Sequence, residues 1–126
     1  HIRSAIFGFP SIISTSGIVE GPAKPKDYYL YKQKYSQLGV WDIEEAKVKR
    51  EFKGCFIDYQ DKRLTEVLKG YLSQAVFFYL TGEPFCKSKS CRLFNAHWQE
   101  DLISSQIKSG RFCRLHQGIL KQIRPA

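Results

Sequence analysis

Four residues near the C-terminal end have the types and spacing that hold a metal ion. Cys86-x4-Cys91 is followed by 21 residues and then by Cys113-x2-His116. Two close pairs separated by a longer segment is the usual arrangement for tetrahedral zinc. A Cys-x4-Cys loop brings two sulfurs about 4 Å apart on one side of an ion. Cys113 and His116 lie three residues apart, so at the start of a helix they share one face. Three thiolates and one imidazole fill a four-coordinate shell. The expected cofactor is therefore one structural Zn2+ with no open position for water. Such a site contributes about 10–16 kcal/mol at neutral pH in small zinc peptides, enough to anchor the C-terminal part of the chain. The alternatives are a disulfide and reduced free thiols. Cys55 stands apart from the other three and reads as a small buried hydrophobe. His97 is a competing imidazole, but it has no cysteine at close spacing.

Other groups in the chain could also do chemistry. His97, Glu100 and Asp101 form the remaining His/acid cluster, and His97 and Asp101 would share a helix face at i, i+4. A surface hydrogen-bond arrangement explains that spacing equally well. Ser14-Thr15-Ser16-Gly17 lacks the Gly-x-Ser-x-Gly elbow of a serine nucleophile and reads as turn residues. No glycine-rich phosphate loop occurs. Lys24, Lys26, Lys32 and Lys34 interleave with Tyr28, Tyr29, Tyr31 and Tyr35, a pattern that can stack single-stranded nucleic acid. Helical spacing gathers Tyr28, Tyr31 and Tyr35, which favours a packed face instead.

The chain has 126 residues, a length that suits a single zinc-stabilised domain spanning 1–126. Hydrophobic residues make up 43% and charged residues 25%, as in ordinary globular proteins. No apolar run is long enough to span a bilayer, and no signal peptide opens the chain, so the expected location is cytoplasmic. There is no methionine, and a chain beginning at His1 reads as a processed or truncated product. The formal charge is +8 and unevenly spread. From Cys86 onward there are eight basic residues (Lys87, Lys89, Arg92, Lys108, Arg111, Arg114, Lys121, Arg124) against Glu100 and Asp101. Three thiolates around a divalent ion carry a net charge of minus one, which leaves this third of the chain near +5. Such a field attracts anions, so nucleic acid is a candidate partner through Lys87, Lys89, Arg92, Lys108, Arg111 and Arg114. A solvated basic surface is the alternative.

The elements that must position these residues are expected to be α+β: short N-terminal strands, then a mainly helical, zinc-stapled remainder. Ile2–Phe9 and Ser11–Thr15 favour strand, broken at Pro10. Residues 20–25 read as a loop. Asp27 caps a helix carrying Tyr28, Tyr31, Tyr35 and Leu38, stopped by Gly39. Asp42 and Glu45 suggest a capping box for a second helix ending at Gly54. The strongest periodicity is Leu64, Val67, Leu68, Tyr71, Leu72, Ala75, Val76, Tyr79 and Leu80. It predicts a long helix with this stripe in the core, capped by Asp61 and ended by Gly82. Asn95 would cap a helix with Trp98, Leu102, Ile103 and Ile107, ended by Gly110. A last helix would carry Phe112, Leu115, Ile119 and Ile123.

The stretch from the long helix onward resembles the C-terminal half of archaemetzincins, a zinc metallopeptidase family. There an HExxHxxGxxH helix holds the catalytic zinc, and a cysteine set including Cys-x4-Cys and a distant pair binds a second, structural zinc. Cys86-x4-Cys91, Arg92-Leu93-Phe94-Asn95 and Phe112-Cys113-Arg114-Leu115-His116 look like the structural half, with histidine in place of the last cysteine. Counting back from Cys86, the three histidine positions fall on Ala75, Tyr79 and Phe85, the glutamate on Val76, and the glycine on Gly82. Leu93 stands at the Met-turn. The resemblance thus implies a retained structural zinc and a lost catalytic one, in what could be the C-terminal part of a longer metzincin-like chain. Pro10–Tyr29 and Cys91–Glu100 also look like an uncharacterised archaeal metallopeptidase-labelled family that lacks HExxH, which implies an archaeal or archaeal-virus gene. Three functions follow as expectations: a non-catalytic zinc-stabilised binding module, a basic nucleic-acid-binding zinc module, and a metallohydrolase with an unrecognised site.

Overall fold

The computed structural model describes residues 4–5 and 10–123. Most of the expected first strand, and Arg124, lie outside the described residues. Strands β1 (Ser4–Ala5) and β2 (Ile12–Ile13) pair antiparallel, Ser4 opposite Ile13 and Ala5 opposite Ile12. Helices follow in the described chain: α1 (Thr15–Glu20), α2 (Lys26–Gln37), α3 (Trp41–Glu51), α4 (Leu64–Thr81), α5 (Gln99–Ile103) and α6 (Arg114–Ile123). The architecture is α+β, as expected, with a short N-terminal ribbon and a helical remainder. No helix among the described residues is long and apolar enough to cross a membrane.

The expected strand through Thr15 stops early because Ser14 caps a helix. Its hydroxyl accepts the Gly17 N–H at 3.1 Å, satisfying one of the donors that a helix start leaves unpaired. The Ser-Thr-Ser-Gly run is thus a cap and first turn. It directs Ile18 and Val19 into a core with Ile57, Val67, Tyr71, Ala96, Leu102 and Ile103. Other caps differ from the pattern too. Asp42 sits in the first turn of α3 without capping it. Asp61 organises the turn before α4, where its carboxylate accepts the Asp58 and Arg63 N–H groups at 3.3 and 2.9 Å. Asn95 caps nothing, because extended Trp98 delays α5 to Gln99. The stops at Gly39, Gly82 and Gly110 hold at positive φ, and the Gly82 N–H closes α4 on the Phe78 carbonyl, whereas α3 ends at Glu51, ahead of Gly54.

The core face of α4 is rotated from the expected stripe. Val67, Gly70, Tyr71, Gln74 and Phe77 are buried, whereas Leu72, Val76, Tyr79 and Leu80 are exposed. Two apolar faces compete on this helix, and close approach decides between them. A β-carbon at Gly70 would run into the side-chain amide of Gln106, so glycine here leaves room for that buried amide against α4. Gln106 lies on a π-helical stretch, Ser104–Ser109, which continues α5 and turns Ser105 and Gln106 inward. On α2 only Tyr28 is buried; Tyr31 and Leu38 are exposed, with Tyr31 stacked on Tyr35 at 6.4 Å.

Gln99 ties the N-terminal and C-terminal halves together. It is fully buried, and its amide accepts the Ile57 N–H at 2.9 Å while donating to the carbonyls of Ile18 and Val19 at 3.2 and 3.1 Å. The chain also pairs around it, since the Ala23 N–H donates to the His97 carbonyl and the Gln99 N–H to the Ala23 carbonyl. Gln99→Leu keeps the volume but strands these buried backbone groups, at about 1–3 kcal/mol each. We expect a stability loss of about 3 kcal/mol or more in urea unfolding at unchanged m-value.

Candidate metal centre

Two segments of chain, the loop 86–91 and residues 113–116, build the cluster. Gly82 ends α4 and frees the chain to turn back. Cys86 then pairs with Phe94 in a single parallel bridge, its N–H donating to the Leu93 carbonyl at 3.0 Å. The loop closes on itself, with the Cys91 N–H on the Ser88 carbonyl. Cys91 pairs in turn with Arg111, whose carbonyl accepts the Arg92 N–H at 2.9 Å. That pairing sets Cys113 beside the loop, and α6 begins at the next residue. His116 falls on the first turn of α6 and is buried. The expected apolar face of α6 shifts accordingly: Leu115 is 68% exposed, and Phe112, Ile119 and Leu120 pack inward with His116.

The donor atoms of Cys86, Cys91, Cys113 and His116 all lie within 4.8 Å of one another, a group that could hold a metal ion. Cys86 Sγ is 3.9 Å from Cys113 Sγ, and Cys91 Sγ is 3.9 Å from His116 Nδ1. A zinc tetrahedron with bonds of about 2.3 Å to sulfur and about 2.0 Å to nitrogen has edges near 3.6–3.8 Å, so these two spacings match. The Cys113–His116 edge is shorter, at 3.0 Å. All four cysteines are free thiols. Backbone N–H groups aim at the sulfurs: Ser88 at Cys86, and both Leu93 and Cys113 at Cys91, from 3.4 to 3.5 Å. Donors arranged in this way stabilise thiolates and fix them as ligands. The Phe77 ring meets the His116 imidazole edge-on at 5.1 Å and fixes its plane.

Without an ion this cluster is electrostatically uneven. Burial pushes the Cys91 thiol up to about 11, against the pull of the Cys113 and Leu93 N–H groups. Burial acts upward on Cys113 too, but hydrogen bonds from His116 and the neighbouring sulfurs outweigh it and bring that thiol down to about 7. A bound divalent cation would reverse the Cys91 penalty, since it favours the thiolate.

The other sequence candidates separate. Trp98 is extended, so His97 precedes α5 and does not share a helix face with Asp101. Among the described residues, His97, Glu100 and Asp101 form no group that could hold a metal ion, and His97 does not join the cysteines. Cys55, expected buried, is exposed. It lines a surface cavity of about 270 Å³ with Pro25, Gly54, Glu100, Ile103 and Lys108, which supplies no histidine to activate the thiol. Lys24 is buried, 5.2 Å from the Phe56 ring centroid and ion-paired with Glu20 at 3.7 Å, so it belongs to the core and not to a stacking platform. Arg92 is also committed internally. Its guanidinium donates to Gln106 Oε1 at 3.1 Å and to the Glu66 carbonyl, and its side chain is 12% exposed. Sequence reasoning missed Gln99, Gln106 and Gly70; glutamine carries no periodic signal, and its burial shows only once its partners are in place.

The family described as "Probable metallopeptidase family (DUF6775)" matches residues 1–123. The chain belongs to this family. No curated protein and no solved structure matches. Ala75, Val76, Tyr79 and Phe85, the positions singled out by the resemblance to archaemetzincins, carry no imidazole or carboxylate. Val76 and Tyr79 point to the outside of α4. Among the described residues, the one group of three or more His, Cys, Asp or Glu donors that could hold a metal is Cys86, Cys91, Cys113 and His116.

Metal affinity at this cluster must depend on pH, because ligands bind deprotonated. Above pH 7 binding displaces at least the Cys91 proton, and below pH 7 the Cys113 proton as well. Affinity should therefore fall at least about tenfold per unit as pH drops toward 7, and more steeply below it. Competition with a chromophoric chelator from pH 8.5 to 6 reads the slope directly.

Proposed function

We propose that this family member is a zinc-stapled, non-catalytic protein that acts by binding. The observation that carries the reading is the donor set itself. Three sulfurs and one ring nitrogen converge from two segments of chain, 86–91 and 113–116, and four such donors leave a tetrahedral ion no open position for substrate or water. The absence of ligand chemistry at Ala75, Val76, Tyr79 and Phe85 supports loss of the peptidase function. A general base and a metal-bound water are both needed for peptide hydrolysis, and these side chains provide neither. On this reading zinc is the ion, one per chain, and the kinship is with archaemetzincins whose catalytic half has decayed. Free thiols serving as ligands suit a reducing compartment such as the cytoplasm.

Elemental analysis of the purified protein should give one zinc per chain. Cys91→Ser should lose it, and Cys55→Ser should keep it. The zinc-loaded protein should show no chelator-sensitive cleavage of a mixed peptide library. Two equivalents of metal with cleavage would support a hydrolase instead, and a metal-free native protein would end the zinc reading.

A further inference from the structure

We infer that the surface around the metal centre is a binding face for the phosphate backbone of duplex nucleic acid, formed by Lys87, Lys89, Arg111 and Arg114. The inference deepens the proposed binding role and rests on it. Lys87 follows Cys86, Arg114 follows Cys113, and Arg111 is bridged to Cys91. Lys89 lies at the middle of the closed loop between Cys86 and Cys91. Because consecutive Cα atoms are about 3.8 Å apart, each cation is held within one or two residues of an atom cluster only 4.8 Å across. The cluster therefore gathers the backbone positions of four cations around one small centre. All four side chains are exposed, and none makes an ion pair among the described residues. Lys24, Lys49, Arg63, Lys69 and Arg92, by contrast, are each paired with a carboxylate. Arg92 is thereby removed from the set that the charge pattern suggested.

The chemistry of the patch selects the partner. The hydroxyls of Ser88 and Ser90, 3.2 Å apart in the same loop, add donors suited to phosphate oxygens. Protein partners are usually held through buried aromatic or aliphatic anchors, and membrane surfaces through inserted apolar side chains. In segments 86–91 and 111–116 the one large exposed apolar residue is Leu115. The one aromatic there, Phe112, packs on Phe77 at 5.9 Å and is not offered for base stacking. Charge and hydroxyl donors without stacking rings fit the regular phosphates of a duplex, read without base specificity.

The test uses the whole zinc-loaded chain, a fluorescent 20-base-pair DNA duplex and a KCl titration followed by anisotropy. Four phosphate contacts give a slope of log K against log salt of about −3.6, a loss of about a hundredfold between 50 and 200 mM. Arg111→Ala with Arg114→Ala, and separately Lys87→Ala with Lys89→Ala, should each flatten the slope by about 2 and weaken binding at least about tenfold at 50 mM salt. Lys47→Ala with Lys53→Ala, exposed cations of α3 and the turn after it, should change little. Zinc content is measured for every variant, so binding is compared only between proteins holding one equivalent. The inference is overturned alone if zinc is present and the duplex does not bind. It is also overturned if the Lys47/Lys53 pair matters as much, or if phosphatidylserine vesicles bind and DNA does not. A zinc-free native protein overturns the binding-module reading and this inference together.

Discussion

The end of α4, the loop after it and α6 share a core of only three buried residues, Phe77, Cys91 and Leu93. Around them the backbone pairs through single bridges, Cys86 to Phe94 and Cys91 to Arg111, and not through a sheet. Partly buried Phe112, Ile119 and Leu120 add to it, but this is little apolar burial to set against the backbone entropy of ordering residues 82–93 and 110–123, at about 1–2 kcal/mol each. What converges there instead is a set of four donor atoms. Cys91 contributes twice, as a fully buried core side chain and as a metal donor. The direction of α6, the closure of the 86–91 loop and the placement of the surface cations all follow from where those four atoms must meet. An ion at their centre would supply the stabilisation that the small core lacks.

A second polar system organises the rest. Gln99 bridges residues 18, 19 and 57, and Gln106 grips Arg92 through two hydrogen bonds, at 3.1 and 2.7 Å. The π-helical stretch Ser104–Ser109 is what turns Gln106 toward Gly70 and Arg92. Buried side-chain networks of this kind rigidify a fold only when nearly every member is satisfied. Here Gln74 Oε1 is the one buried side-chain polar atom without a partner among the described residues.

How much was legible in the sequence follows from this division. The Cys and His positions could be read, because metal spacing is set by short-range geometry that survives any tertiary context. The helices from α2 onward and the stops at Gly39, Gly82 and Gly110 could also be read, since positive φ is a local demand that glycine meets most easily; α1 could not, because its start looked like strand. The face of α4 could not. Leu72, Val76, Tyr79 and Leu80 are as apolar as the residues that are buried, and Gly70 with Gln106 decides the contest through a long-range approach. The face of α6 turned for a related reason: His116 must face the sulfurs, so Leu115 faces water. Caps failed at Asp42 and Asn95 because nearby turns and extended residues set the helix starts. The archaemetzincin resemblance was legible only in its cysteine and histidine half. On α4, where that pattern puts ligands, Val76 and Tyr79 are exposed.

X-ray absorption at the zinc edge of the purified native protein tests the central claim most directly. The account predicts one zinc per chain, with three sulfurs at about 2.3 Å, one nitrogen at about 2.0 Å and no oxygen in the first shell. A first shell containing oxygen or fewer than three sulfurs, or a native protein without zinc, would contradict it.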